Sequence, residues 1–542
     1  MNNIKQLILS IAPAAVFAEG AELTVSLAPK EVVPVLKALK ESAETFFDFL
    51  VAMVGMDSGE TLGVIYYLSS SANPALQIVV KTNTADRKNP LLYSVVSLYE
   101  TAQLNEREIF ALFGIRFINN PDMRRFLLND DWVGFPFRKD YDANPELNHF
   151  SPESKEIIDI THRIMETEEG LREETAKIFN DNEYVINIGP QHPSTHGVMH
   201  FRTSLHGEII QKIDVISGYI HRGIEKLSEG MTYPQILHFT DRLDYLSANI
   251  NRHALCMCIE KAAEIEVPER AQYIRIILDE LNRIDSHLLA WAAQTNDLGA
   301  TTAFIYGMRE REAILDIFDK TCGGRLIINQ NVIGGVMFNI YPEFQQDVKN
   351  FLILMRQRLR EYDMFFSHNV IALGRMINIG NLSKNDAISY AVTGPAGRAS
   401  GWSCDVRKYH PYSLYNKVEF KEIIRTEGDS YARYLNRLDE IEQSIHIIEQ
   451  LIDNIPEGDF CAKTKAIIKL PEGEYFQAVE TGKGLFAVYI ESKGDKTPYR
   501  LKFRSPSMAL VSVMPLICKN EKISDFIGIG GSMDYVIPDI DR

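Results

Sequence analysis

The chain has 542 residues, 45% hydrophobic and 24% charged, the proportions of a folded globular protein and not of a disordered one. The net charge is −16, from 57 Lys+Arg against 73 Asp+Glu. This disfavours a nucleic-acid partner, whose binding runs on a positive surplus. No apolar run approaches the roughly 18–20 residues needed to cross a bilayer, and at about 150 residues per domain two or three domains are expected.

Lys5 precedes an apolar stretch, Leu7 to Ala18, that imitates a secretory leader with small residues at Ala15 and Ala18. A lone charge in front and Pro13 within it favour instead a short helix leading into a first strand, and a cytoplasmic chain is expected. Glu31 to Leu50 reads as an amphipathic helix through Val32, Val35, Leu36, Leu39, Phe46, Phe47 and Leu50, with Pro34 tolerated in its first turn. Val64-Ile65-Tyr66-Tyr67-Leu68 reads as a buried strand, and Leu76, Ile78 and Val80 alternate as in a half-buried one. Residues 1–145 thus form a small α/β module. Ser154 to Lys177 is crowded with Glu, Lys, Arg and Thr, so residues 146–182 are expected to be a solvated, partly helical linker.

A second domain is expected over 183–542. Strand Tyr184–Ile188 runs into Gly189-Pro190-Gln191-His192-Pro193-Ser194-Thr195-His196-Gly197, where two Pro, two Gly and two His forbid regular structure, and a strand resumes at Val198. Long helical stretches follow between Ile216 and about Arg375. Gly394 to Tyr415 reads as loop, Tyr434 to Ile455 as helix, and roughly the last 80 residues as strands with turns.

Each candidate residue has a plain structural explanation. His192 and His196 can simply brace their turn. Thr240-Asp241-Arg242-Leu243-Asp244-Tyr245 looks like a helix start with Thr240 or Asp241 as N-cap and Tyr245 facing inward. Leu281 to His287 continues a helix that Asp297-Leu298-Gly299 breaks, and Met308 to Glu312 reads as an ion-pair network. The six cysteines (Cys256, Cys258, Cys322, Cys404, Cys461, Cys518) include no CxxC. Cys256 and Cys258, two apart on a helix, point to separate sides and read as small buried hydrophobes. There is no P-loop and no GxSxG, and Gly528-Ile529-Gly530-Gly531 is rejected as a dinucleotide fingerprint.

Taken together, Asn187 to Gly197, Gly218-Tyr219-Ile220-His221-Arg222-Gly223-Ile224-Glu225-Lys226, Asp241 to Tyr245, Pro268 to Arg275, Asp297 to Ala300, Asp405-Val406-Arg407-Lys408, Arg504 to Ser507 and Asp541-Arg542 resemble the D subunit of bacterial respiratory complex I. Asn105 to Ile115, Pro121 to Arg125 and Gly134 to Asp140 resemble its C subunit. The chain therefore looks like a natural fusion of the two. The resemblance implies an α+β protein: the N-terminal α/β module as scaffold, and a large, mainly helical domain like the large subunit of nickel–iron hydrogenases, with peripheral strands. It also raises a rival, a membrane-bound nickel–iron hydrogenase, which needs four thiolates in two CxxC pairs. This sequence has none.

The resemblance further implies quinone reduction (ubiquinone or menaquinone) within a proton-pumping NADH:quinone oxidoreductase. His196 and Tyr245 would meet the quinone carbonyls, and Asp297 would pair with His196. Arg222, Arg283 and His287 would lie near the [4Fe–4S] cluster of a neighbouring B-type subunit. No metal or cluster would be bound by this chain. Other partners implied are the I-type ferredoxin-like and membrane-arm H-type subunits, with peripheral attachment on the cytoplasmic side of the membrane. Three positions depart from the family's usual residues. Ile327 stands where many relatives have His, Ala111 replaces an acid and Asn120 a His.

Overall fold

The computed structural model describes residues 2–18, 20, 22–142, 160–192 and 195–542. Helix Asn2–Ile11 buries Ile4 and Ile8 and leads into a first strand, β1 (Val16–Ala18). With β2 (Leu23–Leu27), β3 (Phe49–Asp57), β4 (Leu62–Ser69) and β5 (Gln77–Thr84) it makes a sheet of order β1-β2-β5-β4-β3. Only the β2–β5 pair is parallel. The helix expected over 31–50 is shorter, Val32–Glu41. Phe46 turns the chain with φ 43°, and the aromatic and branched run that follows is β3.

The sheet is buried on both faces, which is why β4 reads as an unbroken apolar run instead of an alternating one. Leu50, Met53, Val64, Tyr66, Leu68 and Val80 pack with the module's own helices. Their neighbours Phe49, Val51, Val54, Ile65, Tyr67 and Val79 belong to the core of the large domain. Tyr67 stacks on Phe476, and Phe49 meets Trp402 edge-on.

The charged stretch departs from expectation. Ile160–Thr167 and Gly170–Lys177 form an antiparallel hairpin, and Ile164 joins it in parallel to Ile118 of the N-terminal module. Its charges are cross-strand rungs, as in Arg163–Glu174 at 2.5 Å, and not the face of a helix. The rest of that stretch before residue 160 lies outside the described residues.

The large domain is built around helix Glu269–Asp297, buried along most of its length. It packs on helices Thr301–Cys322, Ser430–Ile452 and Ile523–Met533. Peripheral sheets are Tyr184–Ile188, His200–His206 and Ile209–Ile216 on one side, and Gly473–Thr481, Gly484–Ser492 and Arg500–Arg504 on another. Two readings are corrected. Gly394–Ala399 and Val406–Tyr409 are short helices, and beyond Arg504 the chain is helical (Pro506–Ser512, Met514–Ile517, Ile523–Met533, Ile537–Ile540). Helices of one or two turns carry too few residues to show a 3.6 period.

A buried cluster of five charges joins these parts. Glu225 accepts from Arg542 Nε at 2.9 Å, from Arg500 Nη1 at 3.0 Å and from the Phe503 amide at 3.1 Å. Glu108, on the N-terminal module's helix Ala102–Phe113, accepts from Arg542 Nη2 at 2.7 Å and from Lys502. Burial pushes the Glu225 carboxyl up, but Lys502, Arg500 and Arg542 more than offset this and bring it down to about 2.

Removing one anion leaves buried cations uncompensated, so Glu225→Gln is expected to cost about 3–5 kcal/mol, read as a lower denaturation midpoint. Because the carboxyl's folded value lies below its ordinary 4.5, its contribution is full above pH 4.5 and is lost as pH falls toward about 2. A variant whose midpoint and acid limb match the parent would show that the cluster does not clamp the fold.

Candidate functional site

Strands Tyr184–Ile188 and His200–His206 pair in register from Tyr184↔Leu205 to Ile188↔Phe201. The loop between them folds on itself through Gln191↔Val198 and His192↔Gly197. Thr195 Oγ1 lies 2.8 Å from the His192 carbonyl and 2.7 Å from that of Gly197, bracing the turn. His196 sits at the tip in the left-handed region, φ 51°. Gly197 follows at φ 152°, and a Cβ there would fall 2.6 Å from Ile537 Cγ1, so only glycine lets the loop lie against the segment Ile537–Ile540.

That placement brings His196 Nε2 to 2.8 Å from Asp297 Oδ2. Asp297 is the last residue of the long central helix, and the two side chains are 29% and 10% exposed. Helix Ile523–Met533 crosses behind the carboxylate at Gly531, where a Cβ would stand 2.4 Å from Asp297 Oδ2. Burial alone lowers the imidazole's pKa. The hydrogen bond and charge of Asp297, with the charge of Asp534 added, outweigh it and leave His196 raised above 6.5. The pair is therefore an imidazole biased toward its protonated form beside a carboxylate.

Tyr245 does not follow a helix start. Thr240 ends helix Tyr233–Thr240, Asp241 is its C-cap, and residues 241–247 turn before helix Ala248–Ala262. A connection between two helix ends leaves the Tyr245 ring half-buried, and its hydroxyl makes no hydrogen bond to any described residue. Burial raises its pKa, Lys483 and Arg311 pull it down, and Asp244 and Asp534 push it up. Asp534 thus acts on both His196 and Tyr245. Lys483 Nζ, itself buried, bonds Asp534 Oδ2 at 2.9 Å. Nothing in the local sequence around 483 or 534 marked either residue as part of the site.

The other three candidates divide. Arg222 is exposed and bonds no described residue. Its segment is fixed by Asp541, which accepts from the Gly218 amide at 2.9 Å and from the Ile220 amide at 3.1 Å, while His221 Nδ1 lies 2.7 Å from the Asp541 carbonyl. Arg283 and His287 are buried within this chain. Arg283 donates to the Glu480 carbonyl at 2.7 Å and pairs with Glu280, and His287 Nε2 lies 3.2 Å from Glu440 Oε2.

Among the described residues no group of three or more His, Cys, Asp or Glu side chains could hold a metal ion. Cys256 and Cys258 are buried, with thiols pushed up to about 12 by desolvation, the state of inert core residues. Asn120 donates to Glu106 Oε2 at 2.7 Å inside the N-terminal module, so this departure from the family pattern serves packing. No helix among the described residues is long and apolar enough to cross a membrane.

Residues 25–146 match the family described as respiratory-chain NADH dehydrogenase, 30 Kd subunit, and residues 297–470 and 462–542 match the 49 Kd subunit family. The C/D subunit of NADH-quinone oxidoreductase from Phocaeicola vulgatus is 57% identical over 497 residues, 91% of this chain and 95% of that protein. The C/D subunit from Bacteroides fragilis is 54% identical over 512 residues, 92% and 96% of the two chains. The D subunit from Geobacillus kaustophilus is 44% identical over 365 residues, 67% of this chain and all of that one. Two subunit families met in one chain define a fused subunit of a redox complex. The chain belongs to the C/D-fused subunits of NADH-quinone oxidoreductase, respiratory complex I. The hydrogenase alternative is not favoured.

Gly531→Ala is expected to displace the Asp297 carboxylate from His196. Burial is then opposed only by the charge of Asp534, and the imidazole's titration moves down. Histidine NMR on selectively labelled protein reads this directly. An unmoved titration would mean that Asp297 does not set the charge of His196.

Proposed function

We propose that His196 and Tyr245 hydrogen-bond the two carbonyls of a quinone headgroup and protonate it as it is reduced, with Asp297 holding His196 in its charged form. The observation that carries this reading is the 2.8 Å His196–Asp297 bond at a loop tip, with the unpaired Tyr245 hydroxyl in the same electrostatic field of Asp534. Two electrons make the quinone a strong base that needs two protons. An imidazolium gives one readily near neutral pH, and a phenol gives the second only to a strongly basic oxygen. In this reading residues 1–145 are scaffold and residues 183–542, hydrogenase-like in descent, carry the chemistry.

Electrons would arrive from a [4Fe–4S] cluster on a B-type partner, and Arg222, exposed on its fixed turn, would meet that partner and tune the cluster's potential. I-type and H-type subunits would complete the surroundings on the cytoplasmic face of the membrane. Ile327, where a titrating His is common, suits a cluster potential that does not follow pH and a low-potential quinone such as menaquinone. Loss of the His196 proton removes the charge that ties the loop to Asp297, and this release would start the coupling toward the proton-pumping membrane arm.

Tyr245→Phe in membranes is expected to leave cluster reduction intact while donor-to-quinone turnover falls by about 10²-fold or more; unchanged turnover would make Tyr245 a core tyrosine. Asp297→Asn is expected to turn over with fewer protons pumped per quinone. Full pumping by that variant would sink the proposed role of the loop.

A further inference from the structure

Around Asp244, the chain neighbour of Tyr245, lies a group of buried polar atoms that the proposed quinone chemistry does not use. Asp244 is fully buried. Its Oδ1 accepts from the Leu246 amide at 3.1 Å, and its Oδ2 has no protein partner. The hydroxyls of Ser247 and Ser286 are buried and equally unpartnered. Both face Gly482, whose absent Cβ would lie 2.7 Å from Ser286 Oγ and 3.7 Å from Ser247 Oγ. The next residue is Lys483, whose buried ammonium spends one of its three N–H groups on Asp534.

The acids around Asp244 differ in what neutralises them. Asp285, on the central helix, has Arg311 at 2.8 Å. Asp534, at the end of helix Ile523–Met533, has Lys483 at 2.9 Å and Arg437 at 3.9 Å. Asp539 accepts from Ser505 Oγ at 2.5 Å and from the Ser507 amide at 3.3 Å. Asp244 has no cation bonded to its carboxylate. The charge of Lys483 favours the ionised form, and the negative charges of Asp539 and Asp534 oppose it. Holding a proton on Oδ2 therefore breaks no ion pair and relieves repulsion.

We propose that Asp244 is the proton store that restores Tyr245 after the phenol has protonated reduced quinone, with Lys483 holding the negative charge as it moves between them. Asp244 does not touch quinone. It acts through its neighbour, and the inference rests on Tyr245 being the quinone's acid. In the step, the Tyr245 O–H bond breaks as the quinone O–H bond forms, leaving a phenolate. The Asp244 Oδ2–H bond then breaks as the phenol O–H re-forms, leaving a carboxylate opposite Lys483. A proton from solvent recharges it. Burial and the charges of Asp539 and Asp534, against the opposing charge of Lys483, leave the Asp244 carboxyl pushed up to about 6.

The test uses the assembled complex in membranes with a soluble quinone. In the parent, redox-difference infrared spectra should show a protonated-carboxyl C=O band that changes on quinone reduction, and turnover should fall as pH rises past about 6. Asp244→Asn should lose that band, lower kcat about tenfold or more with KM unchanged, and lack the pH limb, while clusters still reduce. If that variant fails to assemble, Ser247→Ala should shift the same band. A parent complex with no such band overturns the proposal without any variant. So does an Asp244→Asn enzyme with the parent's kcat and pH profile. Tyr245→Phe separates the two ideas: full turnover there defeats the quinone-acid reading itself, whereas collapse there beside a normal Asp244→Asn enzyme defeats only the store.

Discussion

The paired burial of Glu108 and Glu225 among Arg500, Lys502 and Arg542 is the constraint on which the site depends. Ionised groups are costly to desolvate, so they persist inside only when each finds partners, and such a network tolerates few alternative arrangements. Its members come from the helix of the N-terminal module, the short helix after Arg222, the strand Arg500–Arg504 and residue 542. With Arg542 fixed, its neighbour Asp541 is placed to accept from the amides of Gly218 and Ile220. Arg222 is thereby presented outward on a rigid turn. Through the same segment Ile537 becomes the wall against which Gly197 lies, and so helps set where His196 points. Charge pairing far from the quinone chemistry thus governs the geometry of both proposed contact regions.

The second constraint is apolar. A sheet with both faces buried cannot be one half of a loosely tethered pair. β3, β4 and β5 send alternate residues into two cores, and removing the large domain would strip Phe49, Val51, Ile65, Tyr67 and Val79 of their packing. Joining the two parts in one chain makes their docking intramolecular, but the interface itself is ordinary hydrophobic interior. The hairpin Ile160–Lys177 of the connecting stretch extends the edge of the N-terminal module's smaller sheet.

What the sequence made legible follows from how far apart the interacting residues lie. The continuous run of β4, the irregular loop at 189–197, the inert cysteines and the helix broken at Asp297 are local facts, and local composition reveals them. The His196–Asp297 pair spans a separation that no periodicity can show, and only the resemblance to complex I supplied it. Lys483 and Asp534 escaped notice because a lysine beside glycine and an aspartate after a helix look like turn chemistry, and their significance arises from burial. The overlong first helix and the missed hairpin share one cause. Phe46 to Leu50 keeps a helix-like spacing across a turn, and a charge-rich strand pair has no apolar face to announce its period of two.

The site's electrostatics show why His196 belongs at the end of a long helix. The C-terminal end of helix Glu269–Asp297 carries the partial negative charge of the helix dipole, which favours a cation nearby. Asp297 adds a full charge at the same place, so the helix end and its terminal carboxylate act in one direction, against the desolvation that would empty the imidazole of its proton. Other ties of the loop among its described residues include the two-residue ladder within itself, the Thr195 brace and the contact with Ile537. When His196 gives up its proton, the attraction between two full charges is lost and a hydrogen bond from a neutral imidazole to the carboxylate remains, which weakens the interaction that offsets the strain of the left-handed backbone at His196. A loop tied to a helix end by a titrating bond responds to the charge of that bond. A loop held by a hydrophobic core would not.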